Sequence, residues 1–514
     1  MVASGWFTGT RKRVNTSGRF EPGKKRERQV RERRPITLGR RGFLALALGG
    51  SASCALQHTR TPAAAQASDD ASHHQAWERA ALIRRQIQVP QFPDRDFNIA
   101  QFGAVADGET DNTQAIAKAI DACHAAGGGR VLVPEGRFLT GPIHLKSNVN
   151  LHLADAARLL FVTDPKAYLP AVFTRWEGVE LMGYSPLIYA FGQSNIAITG
   201  KGVLDGQANK TTWWPWKGGR WVGGKDWSVP GYPTQDEGRD ALFADMEKGV
   251  DPRQRLYAEG ANLRPPFIQP YQCENVLIEG VTIVGAPFWL INPVLCQSVT
   301  VRGLTCASLG PNSDGCNPES CKNVQIQDCF FDTGDDCIAI KSGRNTDGRR
   351  LATPSENIVI SGCKMRTGHG GVVIGSEISG GARNIFVEDC EFNSPKLLRG
   401  IRLKTNAARG GFIENFYIRN ITIGEVQNAI DIDFHYEEGE KGEHLPRVNN
   451  LEIRNLQCAK AIRVFQVRGF KSAPIRNLRL INAEFTEVTE VGTLEHVENF
   501  VARNVTIAGK TFEV

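Results

Sequence analysis

The sequence lacks an apolar run long enough to cross a bilayer: the LALALGG that follows Phe43 falls well short of the roughly 20 residues a spanning helix needs. A membrane-spanning helix is therefore not expected. The paired CxxC spacing of a structural zinc site is missing too, because Cys316 and Cys321, the nearest approach, have no second pair to complete a ligand set. The triple glycine Gly127-Gly128-Gly129 comes after a helical stretch, and no Gly-Lys-Ser/Thr follows it, which argues against a phosphate loop. WD and kelch marks are absent, which argues against a propeller.

A basic surplus is also missing from most of the chain. The formal charge of +6 arises from 61 Lys/Arg and 55 Asp/Glu, but residues 1–67 hold 14 of the basic groups and only 3 of the acidic ones. The rest counts 47 against 52, a net of −5, so no nucleic-acid partner is expected. The basic segment contains Arg40-Arg41-Gly42-Phe43-Leu44 before its short apolar run and ends in Ala65-Gln66-Ala67, a small-x-small cleavage signal. It resembles a twin-arginine export signal over 1–67, departing from the usual pattern at Gly39 and Ala45. Periplasmic or extracellular placement is the expectation. Cys54 is a poor lipidation site, since Ser51 stands where an apolar residue belongs. Setting Cys54 aside leaves 11 cysteines, which cannot all pair. Export of an already folded chain from a reducing compartment fits free, buried thiols better than a disulfide frame.

Residues 68–94 are polar and charged, a linker or a docked helix, and organised sequence begins near Phe97. From 111 a helix is expected, with Asp111 as N-cap, Ala115, Ile116, Ala119, Ile120 and Cys123 on one face, and a stop at Gly127. Beyond it the chain repeats itself. Segments such as NVLIEGVTIVG, NVQIQDCFFDTG, NIVISGCKMRTG and NFYIRNITIGEV open at Asn275, Asn323, Asn357 and Asn415, and the full series from Asn275 advances in steps of 23, 25, 34, 27, 31, 35, 27 and 22 residues. Each unit is an Asn, an alternating strand, a Gly/Asn/Asp corner and another strand. Short strands at this period, with no helices between them, predict a solenoid: an all-β, single-stranded parallel β-helix over 95–514 with a short N-terminal helix cap and a long insertion at 207–270. Asn suits a fixed corner because it tolerates left-handed torsions. Cys329, Cys363 and Cys390, each six residues after its Asn, are expected to form an inward ladder.

Stacked coils lie roughly 4.8 Å apart, so equal offsets become neighbours. PNSDGCNPES holds Asn312 and Asp314, and DTGDDCIAIKSG, 21 residues on, holds Asp335 and Asp336, with Cys316 expected to stack on Cys337. In the next coil RTGHGG puts His369 in register with Asp335, and the following coil brings Arg402 and Lys404, two apart and thus on one side of a strand. Singly, an Asp pair is a turn, GHGG a glycine corner and RLK a solvated edge. Together, on consecutive coils at matching offsets, they predict one face where three carboxylates meet a His, an Arg and a Lys. Crowded acids share a proton, and hydrolysis of a glycosidic bond needs one protonated carboxyl and one carboxylate to activate water. The cation pair suits a sugar that carries a carboxylate.

NSDG, GDD, GHG and RLK in this order resemble the NTD, DD, GHG and RIK signatures of the polygalacturonases, glycoside hydrolase family 28, with Ser313 and Leu403 replacing the usual Thr and Ile. The likeness spans about 97–470. It implies a right-handed coil and inverting hydrolysis of α-1,4-linked galacturonate in pectin, without a metal or other cofactor. It also implies Asp335 as general acid, Asp314 and Asp336 as the pair that holds and deprotonates water, and His369 as the group that biases the acid. Asn312, Arg402, Lys404 and Tyr436 then bind substrate. The alternatives are a calcium-dependent pectate lyase on the same solenoid and a non-catalytic polysaccharide-binding solenoid. The Trp-rich insertion could close one end of the cleft, which would favour exo action, or its tryptophans could simply pack it down.

Overall fold

The computed structural model describes residues 62–219 and 225–514; the export-signal reading, apart from its cleavage end, lies outside the described residues, as does Cys54. The chain from 96 winds as a parallel β-helix. Its repeats become columns of in-register residues, because each Asn corner returns the next strand to the same side. One inward column runs Val276, Val299, Val324, Ile358, Ile385, Phe416, Leu451, Leu478. A second runs Ile283, Cys306, Phe331, Met365, Phe392, Ile423, Cys458, Phe485. The third runs Ile268, Ile291, Cys316, Ile338, Val372, Ile401, Ile430, Phe465. All of these side chains are buried, so the interior is one continuous apolar rod.

The corners behave as the residue type demands. Asn275, Asn323, Asn357, Asn384, Asn415 and Asn450 all have φ between 56° and 61°, the left-handed region that Asn tolerates. Their amides form a ladder, Asn357 donating to Asn323 at 3.0 Å, Asn384 to Asn357 at 3.2 Å and Asn450 to Asn415 at 2.7 Å. The eleven described cysteines are all free and buried. Cys329, Cys363 and Cys390 stack as expected. A second ladder joins Cys273, Cys296 and Cys321, each two residues before a corner, through N–H to Sγ contacts of 3.4 Å.

Of the two forms open to residues 68–94, linker or docked helix, much of the segment takes the second: it belongs to helix α1 (Pro62–Gln86), which lies on the outer face of the coil. Trp77 is its anchor: the ring packs edge-on against Phe386 at 5.6 Å, with the Arg419 guanidinium 3.7 Å from its centroid. Arg84 pairs with Glu388, and His73 with Glu452 at 2.5 Å. The polar sequence conceals a narrow apolar stripe of Ala76, Trp77, Ala80 and Ile83 at helical spacing. Helix α2 (Thr113–Ala125) caps the N-terminal end of the rod with the expected apolar face, but its N-cap position is Asn112. Asp111 still accepts from the Thr113 N–H at 2.9 Å, while Asn112 turns inward to bond Val105.

Because Trp77 holds α1 and touches little of the rod's interior, Trp77→Ala should free the helix without melting the solenoid. The expected result is fast amide exchange and proteolysis confined to residues 70–87, with the main unfolding midpoint moved by only a few degrees. A large drop of that midpoint would show that α1 is integral to the coil.

The insertion starts after Val203–Asp205 and ends by Ile268, which pairs with Ile188 of the preceding coil. It contains helix α3 (Asp236–Glu247) and a short strand, Leu256–Tyr257, that pairs with Val179–Gly183 of a hairpin leaving the coil at Val172. Leu242, Met246 and Leu263 bury against Trp176, Val179, Phe288 and Trp289. Trp213 and Trp216 are buried beside Tyr168 and Tyr184, so these two tryptophans pack the insertion down. Trp214 stays half-buried over Gly310, where even a single added carbon would strike its ring.

Candidate active site

The site lies where the third column of strands ends at its N-terminal corners. Strand β1 (Ile338–Ile340) pairs with β2 (Val372–Gly375), which pairs with β3 (Arg399–Lys404), which pairs with β4 (Phe412–Asp433). Ile338 aligned with Val372 places His369 in register with Asp335, as the glycine alignment predicts. Cys316, however, aligns with Ile338 and not with Cys337, so the step between these rungs is 22 residues and Asp314 sits in register with Asp336. The Gly315 N–H donates to the Asp336 carbonyl at 3.0 Å, which fixes that register directly.

The six groups do converge. The Asp335 carboxylate accepts from its neighbour's Asp336 N–H at 3.0 Å and meets His369 Nδ1 at 2.9 Å. His369 is half-exposed and forms the open rim, while Asp314 and Asp336 are buried beneath. Asp336 lies against the cations: Lys404 Nζ is 2.6 Å from one oxygen and Arg402 Nη1 3.4 Å from the other. Tyr436 roofs this pair, with Arg402 and Lys404 at 5.5 and 5.3 Å from its ring centroid. Asn312 is half-buried at the margin, its Oδ1 accepting from Arg264 Nη2 at 2.7 Å.

Protons are distributed unequally. Burial and the charge of Asp335 push Asp314 up to about 8, against the pull of Lys341. Burial also works to raise Asp335, but His369, followed by Lys404 and Lys341, outweighs it and holds that carboxyl well below the usual range. His369 is raised in return, first by Asp335. The shifts thus favour a proton on Asp314 and on His369 over one on Asp335; burial first, and the neighbouring carboxylates second, keep Asp314 neutral, whereas the resemblance implies Asp335 as the acid.

Sequence reasoning missed a buried chain behind Asp314. Lys341 Nζ stands 3.6 Å from Asp314 and 2.9 Å from Glu377, and Glu377 reaches Arg344 at 3.0 Å. Lys341 also faces the Trp289 ring at 4.5 Å. The signal was present: a lysine and a glutamate punctuate the apolar stretches IAIKSG and VVIGSE, where a charge needs a partner or water.

The profile of the glycosyl hydrolases family 28 matches residues 255–464, and one described as rhamnogalacturonase A/epimerase, pectate lyase-like, matches residues 97–152. The crystal structure of a hyperthermoactive exopolygalacturonase from Thermotoga maritima is 40% identical and superposes with a TM-score of 0.82, covering 85% of this chain and 98% of that one. A probable polygalacturonase of Vitis vinifera is 28% identical over 75% of this chain and 73% of its own length. An exo-poly-alpha-D-galacturonosidase of Dickeya chrysanthemi is 29% identical over 63% of this chain and 54% of its own. The likeness to the Thermotoga enzyme runs through nearly its whole length, and the family 28 profile spans the coils that carry all three aspartates, so the chain belongs to the glycosyl hydrolases of family 28.

Proposed function

We propose that the protein hydrolyses the α-1,4-galacturonosidic bonds of polygalacturonate, acting from a chain end. The observation that carries this reading is the stack of Asp314, Asp335 and Asp336 against Arg402 and Lys404 under Tyr436. Acid–base hydrolysis of an anionic sugar needs carboxyls in both protonation states and a local cation to hold the sugar's carboxylate on a coil whose residues past 67 are net negative.

Asp335 becomes an acid through its surroundings. His369, 2.9 Å away, does most to depress its pKa, with Lys404 and Lys341 adding to it, and Asp335 in turn raises the proton affinity of His369. A bound galacturonate carboxylate neutralises part of the cation field and adds a like charge, so the proton affinity of Asp335 rises and it takes up the proton it will donate to the leaving oxygen. Asp336, fixed by Lys404, and Asp314 beside it hold the attacking water; its proton passes to this pair as its oxygen bonds to the anomeric carbon.

The names of the Thermotoga and Dickeya relatives support exo action, and the insertion packed against the N-terminal side of the site is consistent with a blocked cleft end. The lyase and non-catalytic alternatives are not favoured, because the 255–464 match to a hydrolase family covers the carboxylate coils while the lyase-like match lies in the N-terminal cap. The arginine pair and cleavage signal support export across the cytoplasmic membrane.

Incubation with polygalacturonate tests the reading. The expected result is new reducing ends, galacturonate monomer as the only early product, and no ultraviolet absorbance from unsaturated ends. Early oligomers would replace exo with endo action, and unsaturated products sensitive to a chelator would restore the lyase.

A further inference from the structure

Arg264, at the end of the insertion, is fully buried, and among the described residues no carboxylate lies within ion-pair distance of it. Its guanidinium is held entirely by neutral oxygens: Nη1 donates to the Pro287 carbonyl at 2.9 Å and the Pro311 carbonyl at 2.8 Å, Nε to Gln235 Oε1 at 3.2 Å, and Nη2 to Asn312 Oδ1 at 2.7 Å. One face lies on the Phe288 ring at 5.2 Å. A buried charge without a counter-charge is costly, and chains that need only packing fill such a place with an apolar residue. Burial pulls its pKa down to about 9, so it stays positive at neutral pH, and the charges it feels through space are Glu177 and Asp335 of the site itself.

The consequence falls on Asn312. Arginine can only donate, so the amide facing it must present its oxygen, and the Asn312 carboxamide cannot flip. Its Nδ2 is then a donor of fixed direction, and among the described residues no acceptor takes its protons. Gln235 is bound the same way, and its buried Nε2 likewise lacks a partner.

We propose that Arg264 is a positioning residue of the hydrolytic site: it locks Asn312 as a hydrogen-bond donor, and the unneutralised charge behind that amide makes it a recognition point for the carboxylate of a galacturonate unit. The proposal rests on the hydrolytic reading above. It ties the insertion to the catalytic rungs by one side chain, and it assigns acid-sugar recognition to a second place besides Arg402 and Lys404.

The test compares Asn312→Asp, Arg264→Met, Arg264→Lys and the Asn312→Asp/Arg264→Met double variant on trigalacturonate and on its methyl ester. Asn312→Asp keeps the shape, replaces the donor by a carboxylate and thereby neutralises Arg264. It should fold with an equal or higher melting temperature while kcat/KM for the acid falls about 30-fold or more, chiefly through KM, and less for the ester. Arg264→Met should lose a similar factor in the same parameter, and the double variant should be no worse than the poorer single one within about threefold. Arg264→Lys, which keeps the charge but not the fork, should recover part of the loss and stands in if the methionine variant does not fold. Unchanged kinetics in Asn312→Asp, or losses that multiply in the double variant, would overturn the proposal. Should the wild type release no reducing ends, the hydrolytic reading fails by itself. Calorimetric binding of trigalacturonate then decides the proposal, equal affinity of wild type and Asn312→Asp refuting it.

Discussion

Asp335→Asn is expected to lower kcat on polygalacturonate by about 10³- to 10⁴-fold, the upper part of the range that loss of a general acid produces, equivalent to about 4–5.5 kcal/mol of barrier. The amide fits the space, can still accept from the Asp336 N–H, and cannot deliver a proton to a leaving oxygen. A second readout separates the acid from a merely structural aspartate. His369 is raised by the Asp335 charge, so in the variant its imidazole titration should move down toward the ordinary histidine value, which an NMR titration resolves. Stability should respond with a definite sign as well. Asp335 is depressed in the folded protein, so its ion pair contributes above the unfolded pKa near 4 and fades as the pH falls below that; the variant should be less stable at pH 7 and nearly equal to wild type in strong acid. Full turnover in the variant would remove Asp335 from the mechanism.

The fold was legible because its physics is local and repeated. A left-handed corner restricts the residue to Asn or a near substitute, and the strand after it must alternate, so each coil wrote the same line into the sequence. The site was legible to the same extent, since stacking converts offsets into distances; His369 over Asp335 followed from one glycine alignment. The one-residue error in the Cys316 rung shows the limit. Neighbouring coils differ in length at their loops, and only backbone pairing decides whether Asp314 faces Asp335 or Asp336. Lys341 and Glu377 were written in the sequence but not assigned, because period-2 alternation lets a charge in an apolar strand point outward to water, and here the outward side is covered by the insertion and hairpin. Arg264 was not legible at all. It lies 48 positions from Asn312 inside a segment with no repeat, and its contact depends on how that segment folds back. The polar stretch before Phe97 left linker and docked helix open for a similar reason: a stripe only four residues wide reads as solvated until a partner face exists.

Asp314→Asn should show the opposite pH pattern from Asp335→Asn, and that contrast locates the resting proton. Folding raises the Asp314 pKa from 3.8 to about 8, so the folded state keeps a proton that the unfolded chain releases near pH 4. Below pH 4 both states are protonated and the residue is nearly neutral toward stability; between 4 and 8 the folded state pays progressively for holding it, with a ceiling of about 6 kcal/mol at 1.36 kcal/mol per pH unit. Shared titration with Asp335 and the opposing pull of Lys341 reduce that ceiling, so the neutral amide should stabilise the protein by about 2–4 kcal/mol at pH 8 and by almost nothing at pH 4. Asn317 now donates its Nδ2 to Asp314 at 2.9 Å, and it can still donate to the carbonyl oxygen of the amide, so the gain is not cancelled by an orphaned partner. Activity should nevertheless fall about 10²- to 10³-fold, because the amide can neither share a proton with Asp336 nor take one from the attacking water. A more stable protein that hydrolyses less is the mark of a group held in an unfavourable state for chemistry. Denaturant unfolding at pH 4 and pH 8 measures it, and a gain of the same size at both would place the resting proton on a different carboxylate and leave Asp314 as an ordinary buried acid.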